Sequence, residues 1–432
     1  MKDKTLTFRD LSPLGGSTTR SDNEWLVGIV NDVAVADFLV SAGASHARDE
    51  PNPLLTRELD GSWRAGRYVG ELRRDGRTLR IEPRLGIDTI AAWMSAAIGV
   101  KVVPRAGEAG GFGPVIAELV AAIWRSTMAD AMRHGAPGFR AARTHVGTSV
   151  HGRLDVPGTV RLRAAGTPAV ASKDRPKLLD NPAVRSIVRA DEALDRRIGR
   201  PDWRGPRLEA YLTALRAAVG RHPTLPSRRE LHRVRYTPIT MAYKRAADLS
   251  WRIAKGQGPL THATGESAEG FLIDVAELWE LFLVHCARRA FGAEQVVHGT
   301  TDTTRKHLLT SLDRPDGTMG RLFPDIMVGA HGAPELILDA KYKRLSGGTR
   351  VAREDLYQLT SYLSAYDETA RFGALGYVET ADAPEASAFE ELGGRWTLSS
   401  GQTARFTRFP TDEASCVAAL RAFAPELAMT HA

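Results

Sequence analysis

Hydrophobic and polar positions divide the chain into three stretches of different period. Up to about residue 110, short alternating runs dominate. Arg67-Tyr68-Val69-Gly70-Glu71-Leu72 and Thr78-Leu79-Arg80-Ile81-Glu82-Pro83 flank Asp75-Gly76, a hairpin-turn signal, and 87–100 reads as a short apolar helix. A compact barrel or sandwich is expected there. From 111 to 264 the period becomes helical. Pro114 to Trp124 repeats apolar residues every three or four positions after a proline suited to a helix start, and helices resume near Asn181 and Arg207. A turn-rich insert near 150–167 interrupts them. In the stretch 265–432, a long apolar helix over 271–291 precedes two strands, Leu322–Val328 and Leu336–Lys343, with the turn Gly329–Pro334 between them. A helix over 351–367 and a strand over 374–379 follow. The expected class is α+β and multidomain: a β-rich N-terminal domain (1–110), a mainly helical middle region (111–264), and a C-terminal α/β domain (265–432) with a central mixed sheet flanked by helices.

Composition changes this picture little. The chain has 432 residues, 43% of them apolar and 25% charged, ordinary values for a globular protein. A net charge of +7 permits an anionic partner such as nucleic acid. Only ten of the 58 basic residues are lysines, so two in one strand, Lys341 and Lys343, stand out. Two cysteines, Cys286 and Cys416, make no disulfide framework, and no signal core or membrane-length apolar run is present, so a cytoplasmic protein without a membrane association is expected. The 12 histidines form no zinc-like spacing, and no GxxxxGK[ST] loop for a nucleotide occurs.

The strand pair carries the chemistry. Along Leu336–Lys343, Leu336, Leu338, Ala340 and Tyr342 face one way, and Ile337, Asp339, Lys341 and Lys343 the other. An antiparallel hairpin brings Asp325 opposite Asp339 and Lys341. Two carboxylates and an ammonium at one end of a sheet suit a divalent metal and a phosphodiester. Hydrolysis of that bond needs a positioned water, a source of hydroxide near neutral pH, and positive charge against the developing phosphorane, and Mg²⁺ held by carboxylates can supply these. Asp325 and Asp339 are the expected Mg²⁺ ligands, with the Ala340 carbonyl as a third, and Lys341 is the catalytic cation. Lys343 reaches a phosphate. So many charges in an apolar hairpin would be costly without a partner. In the preceding helix Asp274, Glu277 and Glu280 cluster at three-residue spacing. Glu280 lies deepest among apolar neighbours and is the preferred additional ligand, with Glu277 second. Asp355, Gln358 and Tyr362 share a face of the later helix; Gln358 is a candidate for a hydrogen bond to water or phosphate, and Tyr362 for a nucleic-acid contact.

These residues resemble the PD-(D/E)xK nuclease superfamily. Leu336 to Lys343 (LILDAKYK), Glu354 to Tyr362 (EDLYQLTSY) and Glu277 to Val284 (ELWELFLV) are similar to the McrC family, the nuclease subunit of McrBC modification-dependent restriction systems. Upstream, Tyr68-Val69-Gly70 and Leu79 to Leu85 resemble its N-terminal strand motif, with Arg84 where lysine is usual. Val150 to Leu154 resembles its Arg-Gly-Arg segment with His151 in place of arginine, and Leu179 to Arg185 a further segment. The resemblance implies a hexameric, McrB-like AAA+ GTPase partner that recognises modified DNA, an N-terminal region docked to that motor, and a C-terminal domain that cuts double-stranded, methylated DNA. Two other readings compete: a catalytically silent nuclease-fold adaptor that activates a AAA+ motor, and a stand-alone nuclease in repair or RNA processing. An intact Asp325, Asp339 and Lys341 speaks against the first, and activity without any motor would identify the second.

Overall fold

The computed structural model describes residues 4–16, 18–41, 52–99, 102, 112–140, 143–256, 268–299, 306–314, 316–330, 332–343, 351–380 and 392–423. The fold is mixed α+β, and it divides into two compact units, residues 1–119 with 261–432, and residues 120–260. The boundaries expected at 110/111 and 264/265 lie outside the described residues. The first and third stretches share one unit instead of forming two.

A strand from the third stretch explains that union. Ala268–Asp274 pairs antiparallel with Tyr68–Arg74 inside a five-stranded sheet of order Lys4–Arg9, Arg77–Glu82, Tyr68–Arg74, Ala268–Asp274, Leu39–Val40. Paired glycines permit the close approach: a Cβ on Gly70 would lie 2.0 Å from the Phe271 carbonyl oxygen, and one on Gly270 2.0 Å from that of Glu71. The sheet is open and mixed, not the barrel or sandwich expected. Lys4–Arg9 runs parallel to Arg77–Glu82, and parallel neighbours need a long crossover. Helix Arg20–Asp32 lies in that crossover and begins where Thr19 and Asp22 close a capping box. The helix expected over 271–291 begins instead at Val275. Asp274 caps it by accepting from the Ala276 and Glu277 amides, and the residues before it form a strand buried on both faces, which has no alternation to read.

The second large sheet runs Val296–His298, Ile326–Ala330, Ala333–Lys341, Phe372–Val378, Thr403–Phe409, Arg395–Thr397. Its first three strands are antiparallel, whereas Ala333–Lys341, Phe372–Val378 and Thr403–Phe409 are mutually parallel. The turn is tighter than expected, since the strands continue to Ala330 and from Ala333, with His331 outside the described residues. Helix Arg353–Ala365 makes the crossover and packs Leu359, Tyr362 and Leu363 on Ile337, Leu375 and Phe406. Helix Val275–Phe291 also meets this sheet, where the Trp279 indole donates to the Gly376 carbonyl at 3.3 Å. Cys286 and Cys416 are buried free thiols.

In the 120–260 unit, Pro182–Ile198 packs on Ala242–Lys255 and Pro206–Val219. Asn181 caps the first by accepting from the Val184 amide. The insert near 150–167 is not merely turns, because Val156–Ala164 is a helix capped by Asp155. None of its residues is buried, so no apolar stripe announced it. Among the described residues, no helix is long and apolar enough to cross a membrane.

Candidate catalytic cavity

Register builds the site. Ile326 pairs with Leu338, so one step further Asp325 comes level with Asp339, and its Oδ2 accepts from the Ala340 amide at 2.8 Å. The two faces of the strand follow the alternation. Ile337 meets the crossover helix and Lys341 Nζ donates to Gln358 Oε1 at 2.7 Å, whereas Tyr342, on the opposite face, donates to Asp10 at 2.6 Å. Glu280, Asp325, Asp339, Ala340, Lys341 and Gln358 all line one cavity of about 720 Å³.

Its electrostatics are dominated by one carboxylate. Asp339 is 1% exposed, and among the described residues the Lys341 ammonium is set against its Oδ2 while its Oδ1 has no hydrogen-bond partner. Burial raises its pKa, against the opposing pull of Lys341, and the charges of Glu280 and Asp355 push the same way as burial. For Lys341, burial works downward, but Asp339, Asp325 and Asp355 outweigh it and the net shift is upward. Lys341 is therefore a firm cation at neutral pH. Asp355 lies 3.4 Å from it and 2.9 Å from Lys343, so Lys343 is neutralised within the site rather than projecting freely.

Other expected residues take more specific places. Gln358 Nε2 donates to the Tyr362 hydroxyl at 2.8 Å, and that hydroxyl donates to the Phe323 carbonyl at 3.0 Å. Tyr362 is buried and braces Gln358 and the segment before Asp325, and it also lines the cavity. Glu280 lines the cavity. Glu277 does not; it accepts a hydrogen bond from Ser41 Oγ at 2.5 Å. Asp274 is committed to its helix cap and to Arg67 at 2.7 Å.

Two features carry no signal in the sequence. His298 Nε2 is hydrogen-bonded to Glu280 Oε1 at 2.6 Å, both side chains being buried. The chain turns there against the other site strand, since a Cβ on Gly299 would fall 1.9 Å from the Pro324 carbonyl oxygen. The other is a wall of the cavity formed by residues 52–53, 56 and 64–67, more than two hundred positions upstream of Asp339.

The donor set suits a hard cation. Carboxylate and carbonyl oxygens bind Mg²⁺, which takes one or two carboxylates and fills its remaining positions with water. Among the described residues no three His, Cys, Asp or Glu side chains close around a single point. Asp325 and Asp339 with the Ala340 carbonyl are the donors that could hold such a cation, and Asp339 Oδ1 is the oxygen without a hydrogen-bond partner among the described residues.

Comparisons with known proteins agree with one another. Residues 63–377 match the profile of a family described as McrBC 5-methylcytosine restriction system component. Among solved structures, 98% of the chain aligns with the whole of a chain in a half-complex from the tetradecameric assembly of Thermococcus gammatolerans McrB AAA+ hexamers with bound McrC, at 15% identity and a TM-score of 0.54. A second match is to the cryo-EM structure of the Thermococcus gammatolerans McrBC complex, over 66% of this chain and 88% of that one, with 15% identity and a TM-score of 0.40. At such identity the first likeness establishes a shared fold. Among curated protein sequences none matches.

Proposed function

Because the chain belongs to the McrBC family of 5-methylcytosine restriction system components, we propose that it is the subunit that cuts DNA in such a system, a Mg²⁺-dependent endonuclease of the PD-(D/E)xK type. It works with a hexameric AAA+ GTPase of the McrB kind, and its substrate is methylated double-stranded DNA. Support for the partner comes from the solved relative, in which McrB AAA+ hexamers hold McrC. One observation carries the chemical reading: a fully buried carboxylate, Asp339, with donor-poor oxygens, beside Lys341 and level with Asp325, on an open cavity.

In this reading Asp325, Asp339 and the Ala340 carbonyl would hold the magnesium, and Glu280 on the adjoining helix would face it from the cavity wall. Bound there, magnesium supplies Lewis acidity and charge against the anionic transition state. Lys341, kept protonated by its carboxylate neighbours, points a fixed ammonium at the phosphate and the attacking water. Gln358 restrains that ammonium and is itself restrained by Tyr362. His298 keeps Glu280 oriented.

The test is cleavage of methylated duplex by the assembled complex with GTP and magnesium. Lys341→Ala should lose more than about a hundredfold, beyond the 10–100-fold typical of residues that merely support a ligand, while its circular dichroism spectrum and motor binding stay unchanged. Wild-type cutting by a purified Lys341→Ala complex would overturn the assignment.

A further inference from the structure

The cavity holds three carboxylates, Glu280, Asp325 and Asp339, and a polyanion entering it meets their repulsion. Cations must offset this for a DNA strand to approach. Lys343 pairs at 2.9 Å with Asp355, whose side chain is buried, so solvent screens that pair far less than the one between Arg64 and half-exposed Glu58. Lys341 already sits against Asp339, and the remaining cations come from two other segments of the lining, Arg64 and Arg67 in the upstream wall and Arg321 ahead of Asp325.

The upstream wall is a built element. Leu55–Arg57 pairs antiparallel with Trp63–Ala65, and Leu54, Leu55 and Trp63 are buried beneath. The Gly66 amide donates to the Leu54 carbonyl at 2.8 Å, and the Gly66 carbonyl accepts from the Leu11 amide at 3.0 Å. Only glycine fits at that point, since a Cβ would lie 2.3 Å from the Pro53 carbonyl oxygen. Arg67 then ties the wall to the start of the helix that carries Glu280. Its guanidinium holds Asp274 at 2.7 Å, and its carbonyl accepts from the Val275 amide at 3.1 Å. That leaves Arg67 structural. Arg64 is held more loosely, by half-exposed Glu58 at 2.7 Å and by the Leu11 carbonyl at 3.2 Å. Arg321 is exposed and stacks 5.0 Å over the Phe323 ring, with no carboxylate partner among the described residues.

A planar, always-charged guanidinium backed by an aromatic ring or a carbonyl is pre-oriented for the two oxygens of a phosphate. Both such groups here open on the cavity that holds Asp339 and Lys341. We propose that residues 52–67 form a strand-binding wall of this cavity, in which Arg64, together with Arg321, grips backbone phosphates of the DNA strand to be cut. This rests on the nuclease reading and deepens it. The N-terminal region then belongs to the cutting site itself, in contrast to a sequence-based division into a docking end and a cutting end.

Binding of a labelled duplex by the full-length chain tests this by fluorescence anisotropy, with calcium in place of magnesium so that nothing is cut, over a range of salt concentrations. Arg64→Ala with Arg321→Ala should weaken binding about tenfold or more. The slope of log affinity against log salt should flatten by roughly one to two, since each phosphate that a cation neutralises contributes about 0.9 to it. Arg20→Ala, which removes a 94%-exposed arginine elsewhere, should leave both nearly unchanged. Arg64→Lys keeps the charge without the fork and should fall between, which covers the case in which the alanine variant does not fold. Wild-type affinity and slope in the double variant, or an equal loss in Arg20→Ala, would overturn the proposal. The two readings fail separately: if the wild-type complex does not cut but the arginine variants bind weakly, the nuclease assignment falls and the wall stands. If it cuts and the variants bind like wild type, the wall alone falls.

Discussion

Two buried aspartates, each 1% exposed, are treated in opposite ways by their surroundings. In the 120–260 unit, Asp191 accepts from Arg204 Nε on one oxygen and from Arg216 Nη2 on the other, both at 2.5 Å. Those guanidiniums are shared onward with Asp195 and Glu209, each at 2.8 Å. In the other unit, Asp339 has one ammonium against Oδ2, no hydrogen-bond partner on Oδ1 among the described residues, and a cavity in front. Burying a charge costs several kcal/mol in either place. The first cluster recovers that cost internally through saturated, charge-assisted hydrogen bonds. The second does not, and an unsaturated buried carboxylate on a cavity is what a cation or substrate can complete. Burial of charge is thus a poor marker of a site; incomplete satisfaction is the better one.

The contrast can be sharpened by removing each carboxylate. Asp191→Ala should have the largest effect on stability, a loss of about 3–5 kcal/mol in denaturant unfolding, because Arg204 and Arg216 lose their shared buried counter-charge. Asp22 belongs to the saturated kind, since Lys4 reaches its two oxygens at 2.6 and 2.7 Å and Thr19 bonds it as well. The Lys4 hydrogen bond, then that of Thr19, lower its pKa from 3.8 to about 2. A depressed carboxylate pKa stabilises the fold above the unfolded value and loses that contribution as pH falls through the folded value. Asp22→Asn should therefore cost about 1 kcal/mol at neutral pH, and its deficit should close in acid titrations as pH drops from 3.8 toward 2. Asp339→Asn should have the smallest effect, a change below about 1 kcal/mol, since burial already disfavours the Asp339 charge and Lys341 keeps Asp325 and Asp355 as counter-charges. The same variant should lose calorimetric binding of magnesium or manganese. A destabilisation comparable to that of Asp191→Ala would erase the distinction between the two clusters.

Local pattern brings out much of the candidate site and little of its setting. Asp325, Asp339, Lys341 and Gln358 were legible because strand alternation, hairpin register and helix spacing are short-range rules, and all four obey them. The preference for Glu280 over Glu277 rested on its apolar neighbours, and of the two only Glu280 lines the cavity. The sequence places the start of a helix at Phe271, inside the strand Ala268–Asp274, because a strand covered on both faces shows no period of two. Its partner, Tyr68–Arg74, lies about two hundred residues away, and only the paired glycines hint at the close approach. His298 and residues 52–67 had no pattern of their own, since an isolated histidine in an apolar triplet and a short hairpin occur in any globular chain.

The amino-acid order alone determined which side chains share a face and which strands form the Asp325–Asp339 hairpin, because those choices depend on neighbours a few bonds away. Which distant segments close over that hairpin was decided only by the tertiary structure. The sheet seam at Gly70 and Gly270, the Arg67–Asp274 tie and the bond from His298 to Glu280 join positions that no local period connects. Those links form only once apolar surfaces of the two sheets and their helices are buried together, so the cavity is a property of packing rather than of any one segment.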